Sequence, residues 1–499
     1  MLELYPHQAT CIDELREGFR QGHKRQVLGL ATGGGKTVVA SHIAKVAVAK
    51  SKRVLFIVDR IELVSQAART FHDMGLRVGT LQGEFTNYSA EDDIIVASIQ
   101  TIASRSAPDW VQLIIIDECH ILHTAHKKLM NDWNALPFIG LSATPLRKGL
   151  GKYFTNLVRG PSVRELTDKG FLVPVNAFAP GADHISAILA DVSAGTTTHG
   201  FDYTESALGD AMNRKELVGD IIATWKAKAE NRPTLCFAVN IAHSKAIAAD
   251  FEAEGAKVAH IDAHTKRDER KRIIAGFRDG SIKILCSVNV LGIGFDVPDA
   301  ACLILARPTL SESLHMQQMG RGIRTAPGKT DCIILDHAAN TLKHGLPIHF
   351  QVPDLDDGKG DERGTRKAKE KPKFVACSEC GAIMEPGQFT CPSCGIDRPR
   401  RASTVQTTDG ELVAFGNRDA DDRADKLNWY CAMRWHTQNH GKPETADSRA
   451  YHLFVAKFKV KPEWRWKDSP PVQPTHEQTR WIRGEQQRSR IAYLKSRAA

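Results

Sequence analysis

Short apolar runs alternate with longer helical stretches over the first part of the chain. Five such runs occur early, each followed by glycine or polar residues: QVLGLA, RVLFIVD, DIIVAS, LIIID and FIGLSA. Near-continuous apolar runs separated by helices are typical of a parallel sheet that is covered on both faces. The same pattern returns further along in TLCFAV, KVAHID, KILCSV, ACLILA and DCIILD. The sequence therefore predicts an α/β protein with two parallel-sheet lobes.

Changes in local composition along the chain indicate the domain boundaries. We predict a first lobe at residues 1–164 and a second at 165–353, with a cleft between them as the usual place for a ligand. Residues 354–373 are charged and contain glycine, which is typical of a linker. A compact cysteine module is predicted at 374–400. The remainder, 401–499, is rich in Trp, His, Arg and Lys and contains no strong motif.

Composition sets only broad limits. The 499 residues are 42% hydrophobic and 25% charged, an ordinary globular balance. The chain has no run of eighteen apolar residues, and its N-terminus carries acids early, so neither a membrane span nor a secretory signal is expected. We therefore expect a cytoplasmic protein with reduced cysteines. A net charge of +9 fits a polyanionic partner but is weak evidence by itself.

A glycine-rich loop is the first candidate site. LATGGGKT follows a predicted strand and opens a predicted helix, which is the setting of a phosphate-binding loop. Glycines let backbone amides turn toward an anion, and the helix N-terminus favours negative charge. The lysine would reach the β- and γ-phosphates of ATP, and the threonine would hold Mg²⁺. These roles fall on Gly33, Gly34, Gly35, Lys36 and Thr37. Leu30 stands where the general pattern has glycine, so a flexible helix-capping loop is the alternative.

Two adjacent acids form the second candidate. Asp117 ends the apolar run LIIID, and Glu118 follows it directly. A carboxylate at a strand tip can hold the Mg²⁺ of the nucleotide, and its neighbour can activate the attacking water as a general base. We assign these roles to Asp117 and Glu118 in that order. A solvated loop is the alternative, which the four preceding apolar residues disfavour.

With their surroundings, these residues resemble the superfamily 2 helicases. DECH resembles the DEAD/DEAH box, and LSATP resembles the S-A-T motif of that family. The resemblance implies two RecA-like lobes, and it implies that Ser142 and Thr144 link ATP hydrolysis to lobe movement. LYPHQ resembles an element whose glutamine, here Gln8, reads the adenine edge. FIVDRIELVSQ and ASIQT resemble motifs that contact the nucleic-acid backbone.

The predicted second lobe continues the resemblance. QQMGRGIR fits Q-x-x-G-R-x-x-R, and NVLGIGFDVPDA resembles the G-x-D-x-P motif. The resemblance implies that Gln317 is a coupling residue and that Asp296 lies at the ATP site and helps to couple the nucleotide to lobe closure. It also implies that Arg321 and Arg324 face the nucleotide and stabilise charge on the transferring phosphoryl group. Because they are three positions apart, we expect both arginines on one face of a helix. The resemblance covers about residues 1–350.

Four of the 11 cysteines form two C-x-x-C pairs, spaced C-x₂-C-x₁₀-C-x₂-C. Four thiolates with no open position predict a structural Zn²⁺ ribbon, and a glycine after each pair permits a left-handed turn. A redox pair would need a thioredoxin-like context, which is lacking. The predicted ligands are Cys377, Cys380, Cys391 and Cys394. Such ribbons bind nucleic acid or proteins.

The C-terminal region mixes aromatic and basic residues: Trp429, Tyr430, Trp435, FKVKPEWRW and WIRG. These side chains either stack on bases and track phosphates or build a small core. The core interpretation is slightly favoured.

The sequence thus predicts an ATP-dependent DNA helicase or translocase with ATP, Mg²⁺ and structural Zn²⁺ as cofactors. DNA is favoured over RNA because the likeness is nearer to restriction and repair motors, and RNA stays an alternative. A second hypothesis is the motor subunit of a restriction-type system. A third is a loader, in which the zinc ribbon and C-terminal region recruit protein partners and ATP only switches shape. The compact tail suggests a bacterial or phage source.

Overall fold

A computed structural model describes most of the chain, namely residues 4–180, 188–190, 192–197, 200–212, 215–288, 297–358, 374–398 and 418–498. The chain divides into two compact units, Met1–Arg400 and Arg401–Ala499. None of the described helices is long and apolar enough to cross a lipid bilayer.

Lobe 1 is built on an eight-stranded sheet. Its strands are Arg25–Gly29 (β1), Val54–Val58 (β2), Val78–Gln82 (β3), Phe85–Asn87 (β4), Ile94–Ser98 (β5), Leu113–Ile116 (β6), Phe138–Ser142 (β7) and Asn156–Arg159 (β8). The strand order is β4-β3-β5-β2-β6-β7-β1-β8, and every pair except β3–β4 is parallel. The helices are Pro6–Arg20 (α1), Lys36–Ala49 (α2), Ile61–Asp73 (α3), Ile99–Ser104 (α4), Thr124–Asp132 (α5) and Val163–Asp168 (α6), with a 3₁₀ turn at Leu150–Lys152.

The apolar runs form strands because both faces of this sheet are covered. Strands β2, β5 and β7 are buried at every position. Successive residues point to opposite faces. Phe56 therefore joins one core, with residues of α1, α2 and α3, whereas Leu55 joins the other, with residues of α4 and α5.

Lobe 2 is built on a six-stranded sheet in which every pair is parallel, in the order β13-β14-β12-β15-β16-β9. These strands are Val175–Phe178 (β9), Thr234–Phe237 (β12), Val258–Ile261 (β13), Ile284–Ser287 (β14), Cys302–Leu305 (β15) and Cys332–Asp336 (β16). Ala194–Thr197 (β10) and Gly200–Tyr203 (β11) form a separate antiparallel hairpin. The helices are Glu205–Met212 (α7), Lys215–Lys228 (α8), Ile241–Ala253 (α9), Arg267–Arg278 (α10), Glu312–Gly322 (α11) and Asn340–His344 (α12), with a 3₁₀ turn at Pro347–His349. The predicted pair of α/β lobes is confirmed.

The chain crosses between the lobes a second time after lobe 2. Residues 350–358, here called the return segment, lie against lobe 1. Asp356 accepts a hydrogen bond at Oδ1 from the amide of Gly149 (2.8 Å) and at its carbonyl from the amide of Gly151 (2.7 Å). Leu355 packs against the lobe 1 core. Lobe 1 therefore includes residues that follow lobe 2 in the sequence.

The cysteine module is attached to the sheet of lobe 2. Its two short strands, Val375–Ala376 (β17) and Ile383–Met384 (β18), pair antiparallel. Strand β9 is an edge of the lobe 2 sheet, and there the amide of Ala179 donates to the carbonyl of Gly381 at 2.9 Å. Phe374 is buried in the lobe 2 core. The module thus covers an otherwise open sheet edge. Edge strands need such cover because their unpaired backbone groups can bond to other chains.

The C-terminal unit is helical in its described part. It contains Arg418–Asn439 (α13), Ala446–Phe458 (α14) and His476–Ala498 (α15), with 3₁₀ turns at Pro443–Thr445 and Trp464–Asp468. Trp429, Tyr430 and Trp466 are buried in its core with Phe454 and Ile482. The core interpretation of the aromatic residues is confirmed for these three.

Candidate nucleotide site

The glycine-rich loop lies where β1 ends and α2 begins. Gly35 is the N-cap of α2 with φ +90°, and Gly33 has φ +86°. Side chains with a Cβ rarely adopt these values. A Cβ on Gly35 would also lie 2.2 Å from Nε2 of Gln8. The loop shape therefore requires glycine for two reasons, backbone conformation and space.

Gln8 holds the loop from α1. Its Oε1 accepts from the amide of Tyr5 (3.1 Å), and its Nε2 donates to the carbonyl of Gly34 (3.2 Å). Nε2 of His7 lies 3.2 Å from the same carbonyl. The ring of Phe171 lies 4.6 Å from that of Tyr5, centroid to centroid. Sequence analysis missed His7 and Phe171, although the aromatic character of LYPHQ was a signal for the former.

Replacing Gly35 by alanine is expected to weaken ATP binding by about tenfold or more, because positive φ and the contact with Gln8 together reshape the loop. Gly75→Ala is the matched control, since Gly75 has φ +83° and nothing within 4 Å of its added Cβ. Both variants should lose about 1 kcal/mol of stability. A fluorescent nucleotide titration would contradict the prediction if both variants bound alike.

The predicted acids follow β6 and face the loop. Nζ of Lys36 lies 3.6 Å from Oε1 of Glu118. Oδ1 of Asp117 accepts from the amide of Glu118 at 3.0 Å. Glu118 has φ +46°, which is uncommon outside glycine and is often found at functional sites. The structure thus brings Lys36, Asp117 and Glu118 together, as expected.

The charges of this pair are unequal. Burial and the neighbouring charge of Glu118 raise the pKa of Asp117 to about 7. Burial opposes ionisation of Glu118 too, but Lys36 and His120 outweigh it and lower the pKa of that carboxyl. A divalent cation beside Asp117 would favour its ionised form. The donor set therefore suits Mg²⁺, with Thr37, at the exposed start of α2, as the predicted hydroxyl ligand.

A chain of polar contacts runs from the acids to lobe 2. Nδ1 of His120 lies 3.3 Å from Oε2 of Glu118 and 2.9 Å from Oγ of Ser142. Oγ of Ser142 accepts from the amide of Thr144 at 3.1 Å. The hydroxyl of Thr144 is hydrogen-bonded to that of Ser313 on lobe 2. Ser142 and Thr144 thus lie on a path between the lobes, whereas the parts of His120 and Ser313 were not predicted.

The arginine helix α11 packs onto the glycine-rich loop. A Cβ on Gly320 would lie 2.1 Å from Cγ2 of Thr32, so the backbone of α11 is in close contact with the Thr32 side chain. The charge of Arg321 contributes to lowering the pKa of Glu118. Cγ of Arg324 would lie 3.8 Å from a Cβ on Gly33. Both predicted arginines therefore lie beside the loop.

The expectation that both arginines share a helical face is wrong. Helix α11 ends at Gly322, and Arg324 forms an antiparallel bridge with Leu172. The carbonyl of Ile323 accepts from the amide of Val173 at 2.9 Å. After Gly322 the chain is no longer helical, and its backbone groups bond to Leu172 and Val173, which connect the two lobes.

The structure places one of the two remaining predicted residues, Gln317, and does not describe the other, Asp296. Gln317 lines a cleft of about 710 Å³ between the lobes, together with His120 and Thr144. Asp296 lies outside the residues that the structure describes.

The four predicted cysteines come together in the small module. All four Sγ atoms lie within 4.8 Å of one another, with Cys377–Cys394 at 3.7 Å and Cys380–Cys391 at 3.6 Å. Zn–S bonds of about 2.3 Å in a tetrahedron place the sulfurs about 3.8 Å apart. Burial opposes ionisation of Cys391, but the amides of Cys394 and Ser393 lower its pKa to about 6. The cluster is compatible with Zn²⁺.

The glycines after the two pairs have the expected geometry. Gly381 has φ +72° and Gly395 has φ +74°. Each donates its amide to the carbonyl of the first cysteine of its pair at 3.0 Å.

Two protein families match this chain. The family described as "Type III restriction enzyme, res subunit" matches residues 1–147, and "Helicase conserved C-terminal domain" matches residues 213–326. The first match contains the loop and the acids, and the second contains the arginine helix.

Individual proteins give the same picture. The chain is 31% identical over 370 residues to a 51.5 kDa protein of a Lactococcus phage, covering 73% of this chain and 76% of that one. It is 31% identical over 358 residues to the putative ATP-dependent helicase IRC3 of Saccharomyces cerevisiae, covering 67% and 51%. The chain thus spans about half the length of the yeast relative.

A solved structure shares the fold. The fragment of a putative HsdR subunit of a type I restriction enzyme from Vibrio vulnificus YJ016 has a TM-score of 0.52 and 22% identity, covering 70% of this chain and 66% of that one. Loop, acids and arginine helix meet between two parallel-sheet lobes, and the family matches fall on those same lobes. The chain therefore belongs to the superfamily 2 helicases.

Proposed function

We propose that this chain is an ATP-dependent motor that unwinds DNA or moves along it. The observation that carries the proposal is that the paired Lys36 and Glu118 of lobe 1 lie where α11 of lobe 2 packs against the glycine-rich loop. The lysine and the acid are 3.6 Å apart, and Gly320, which directly precedes Arg321, contacts Thr32 of the loop. ATP bound at the loop would contact both lobes, so its hydrolysis would change how they are held together.

The residues of lobe 1 bind the triphosphate. The amides of the glycine-rich loop and the N-terminus of α2 face the phosphates, and Lys36 contacts the β- and γ-phosphates. Thr37 and Asp117 are the proposed ligands of Mg²⁺, which neutralises charge on the phosphates when it is bound. Tyr5 and Phe171 lie beside the loop and offer ring contacts for the base, whereas Gln8, the predicted adenine contact, has both of its polar groups hydrogen-bonded to the protein backbone.

Chemistry and coupling require residues of both lobes. Glu118 accepts a proton from the attacking water. Arg321 and Arg324 stabilise the charge of the transferring phosphoryl group. The hydroxyls of Thr144 and Ser313 are joined across the lobe boundary, so a change near Glu118 reaches lobe 2 through them. Gln317 and Asp296 are further proposed coupling residues.

DNA is the proposed substrate. The family that matches lobe 1 is that of a restriction enzyme subunit, and restriction enzymes act on DNA. The test is the steady-state ATPase rate without nucleic acid and with single-stranded DNA, duplex DNA or RNA. We expect DNA to raise the rate at least tenfold. Stimulation by RNA alone would change the substrate, and a response to none of the three would favour the loader hypothesis, with protein partners at the zinc module and C-terminal unit.

The second candidate is the motor subunit of a restriction-type system, which the match of residues 1–147 favours. The 499 residues contain no P-D…E-x-K cluster, so the nuclease of such a system would lie outside them. Incubation of the purified chain with plasmid DNA, ATP and Mg²⁺ should leave the plasmid intact. We also propose a bacterial or phage-encoded protein that acts in the cytoplasm, which the phage relative supports.

The four cysteines are proposed to bind one Zn²⁺ that stabilises lobe 2. Replacing Cys391 by serine is expected to abolish bound zinc and to lower the melting temperature by about 4 °C or more, because the module covers the edge strand β9. Elemental analysis and calorimetry measure the two effects. The matched control is Ser378→Ala, an exposed residue between two ligands that should keep its zinc. Wild-type protein without zinc would contradict the proposal.

A further inference from the structure

One indole of the C-terminal unit points away from its core. Trp464 is 78% exposed, whereas Trp466, two residues later, is 7% exposed. Both belong to the 3₁₀ turn Trp464–Asp468. With three residues per turn, side chains two positions apart point in different directions. Burying Trp466 therefore turns Trp464 outward.

The turn that carries the exposed indole is held by packing and by a backbone hydrogen bond. The ring of Trp466 packs against Phe454 and Tyr430, with centroid distances of 5.7 and 6.3 Å. The guanidinium of Arg434 donates to the carbonyl of Ser469 at 2.7 Å, just after the turn. A ligand that contacts Trp464 therefore orders little of the protein on binding, which favours affinity.

Cations flank this indole along the chain, and one of them contacts its ring. Nζ of Lys467 lies 3.6 Å from the centroid of the Trp464 ring. The acid that precedes the tryptophan, Glu463, is paired with Arg423 at 2.5 Å. In residues 459–468, Asp468 is the other acid. The further exposed cations of these ten residues are Lys459, Lys461 and Arg465.

The positive charge extends over the whole unit. Residues 418–498 contain 17 Lys and Arg against 10 Asp and Glu, a net charge of +7 out of +9 for the full chain. Most of the basic excess of the protein therefore lies in about one sixth of its residues. A polyanion is the partner that this charge attracts.

We propose that Trp464, with Lys461, Arg465 and Lys467, is a stacking site for single-stranded DNA. The indole stacks on the face of one base, and the cations bind the phosphates on either side of that base. Bases in a duplex are already stacked on their neighbours, so the site discriminates in favour of a single strand. The choice of DNA as the nucleic acid rests on the proposed function.

The test is binding of the full chain, without nucleotide, to fluorescein-labelled oligo(dT), followed by fluorescence anisotropy. Trp464→Ala is expected to weaken binding about tenfold, whereas Trp464→Phe, which keeps a ring, should recover most of the loss. Lys442→Ala is the control, because Lys442 precedes α14 and the proposed site follows it. Glu463, next to Trp464, pairs with Arg423 near the start of α13, whereas Lys442 follows the end of that helix at Asn439. About 16 residues of helix, or about 24 Å, therefore separate the two.

The ATPase assay provides a second readout. In Trp464→Ala the DNA concentration for half-maximal stimulation should rise by the same factor, while the rate at saturating DNA stays unchanged. Unaltered oligo(dT) affinity in Trp464→Ala overturns the proposal, as does an equal loss on blunt duplex DNA. If oligo(dT) binds through Trp464 but no DNA stimulates the ATPase, the motor proposal fails and the stacking site stands. If stimulation persists and the variants bind alike, only the stacking site fails.

Discussion

Replacing Glu118 by glutamine is expected to slow ATP hydrolysis by about 10²- to 10⁴-fold. Glutamine keeps the shape of the side chain beside Lys36, but its amide cannot accept a proton from the attacking water. ATP binding should persist. The charge of Glu118 contributes to the raised pKa of Asp117, so its loss favours the ionised form of that predicted Mg²⁺ ligand.

The measurement is kcat at saturating ATP, Mg²⁺ and DNA, with the Kd of a fluorescent ATP analogue measured separately. Glu91→Gln, an exposed acid of the same lobe, is the control and should behave as wild type. A kcat of Glu118→Gln within about tenfold of wild type would remove the general-base assignment.

Replacing Arg321 by alanine is expected to have an effect of similar or larger size, a loss of about 10³- to 10⁵-fold in kcat. The guanidinium belongs to lobe 2, yet its charge reaches Glu118 of lobe 1. It therefore completes the site only while α11 lies against the loop, as it does at Gly320 and Thr32. Removing it leaves the developing phosphoryl charge without this partner.

Lysine at position 321 should restore little activity, because an ammonium group cannot reproduce the planar fork of a guanidinium. Arg20→Ala is the control, since Arg20 is an exposed residue of α1 paired with Glu17. The same ATPase assay is used, with nucleotide affinity measured in parallel. Normal kcat in Arg321→Ala would place the transition-state contact elsewhere.

The central strands of the two sheets were predictable because they are buried on both faces. A strand in that position must be apolar at nearly every residue, and runs such as VLFIV are therefore visible without any alternation. The hairpin of β10 and β11 carries no comparable run, because it lies outside both central sheets.

The site was predictable as far as it is made of contiguous motifs. The loop and the acids each sit at the end of a strand, and β1 and β6 are separated only by β7, which brings Lys36 to Glu118. The position of Arg324 was not predictable, because its bridge to Leu172 joins residues about 150 positions apart. The contact of Thr144 with Ser313 depends on how two lobes meet, for the same reason.

Local composition also does not reveal which apolar residues pack against a core. Leu355 stands among charged residues in DLDDGKG, a stretch typical of a linker, yet it packs on lobe 1. Trp464 and Trp466 share one short segment and have opposite exposure. In both cases the partner surface decides, and that surface is formed by residues distant in sequence.

The return segment changes what kind of joint connects the lobes. A domain held by one linker can swivel in any direction about a point. Lobe 2 is fastened to lobe 1 at both of its ends, by the chain that leaves β8 and by Asp356 at Gly149 and Gly151. Two attachment points define a line, so we expect rotation about the axis through them to be the easiest movement of lobe 2. If ATP hydrolysis drives that rotation, as we propose, successive turnovers repeat the same movement.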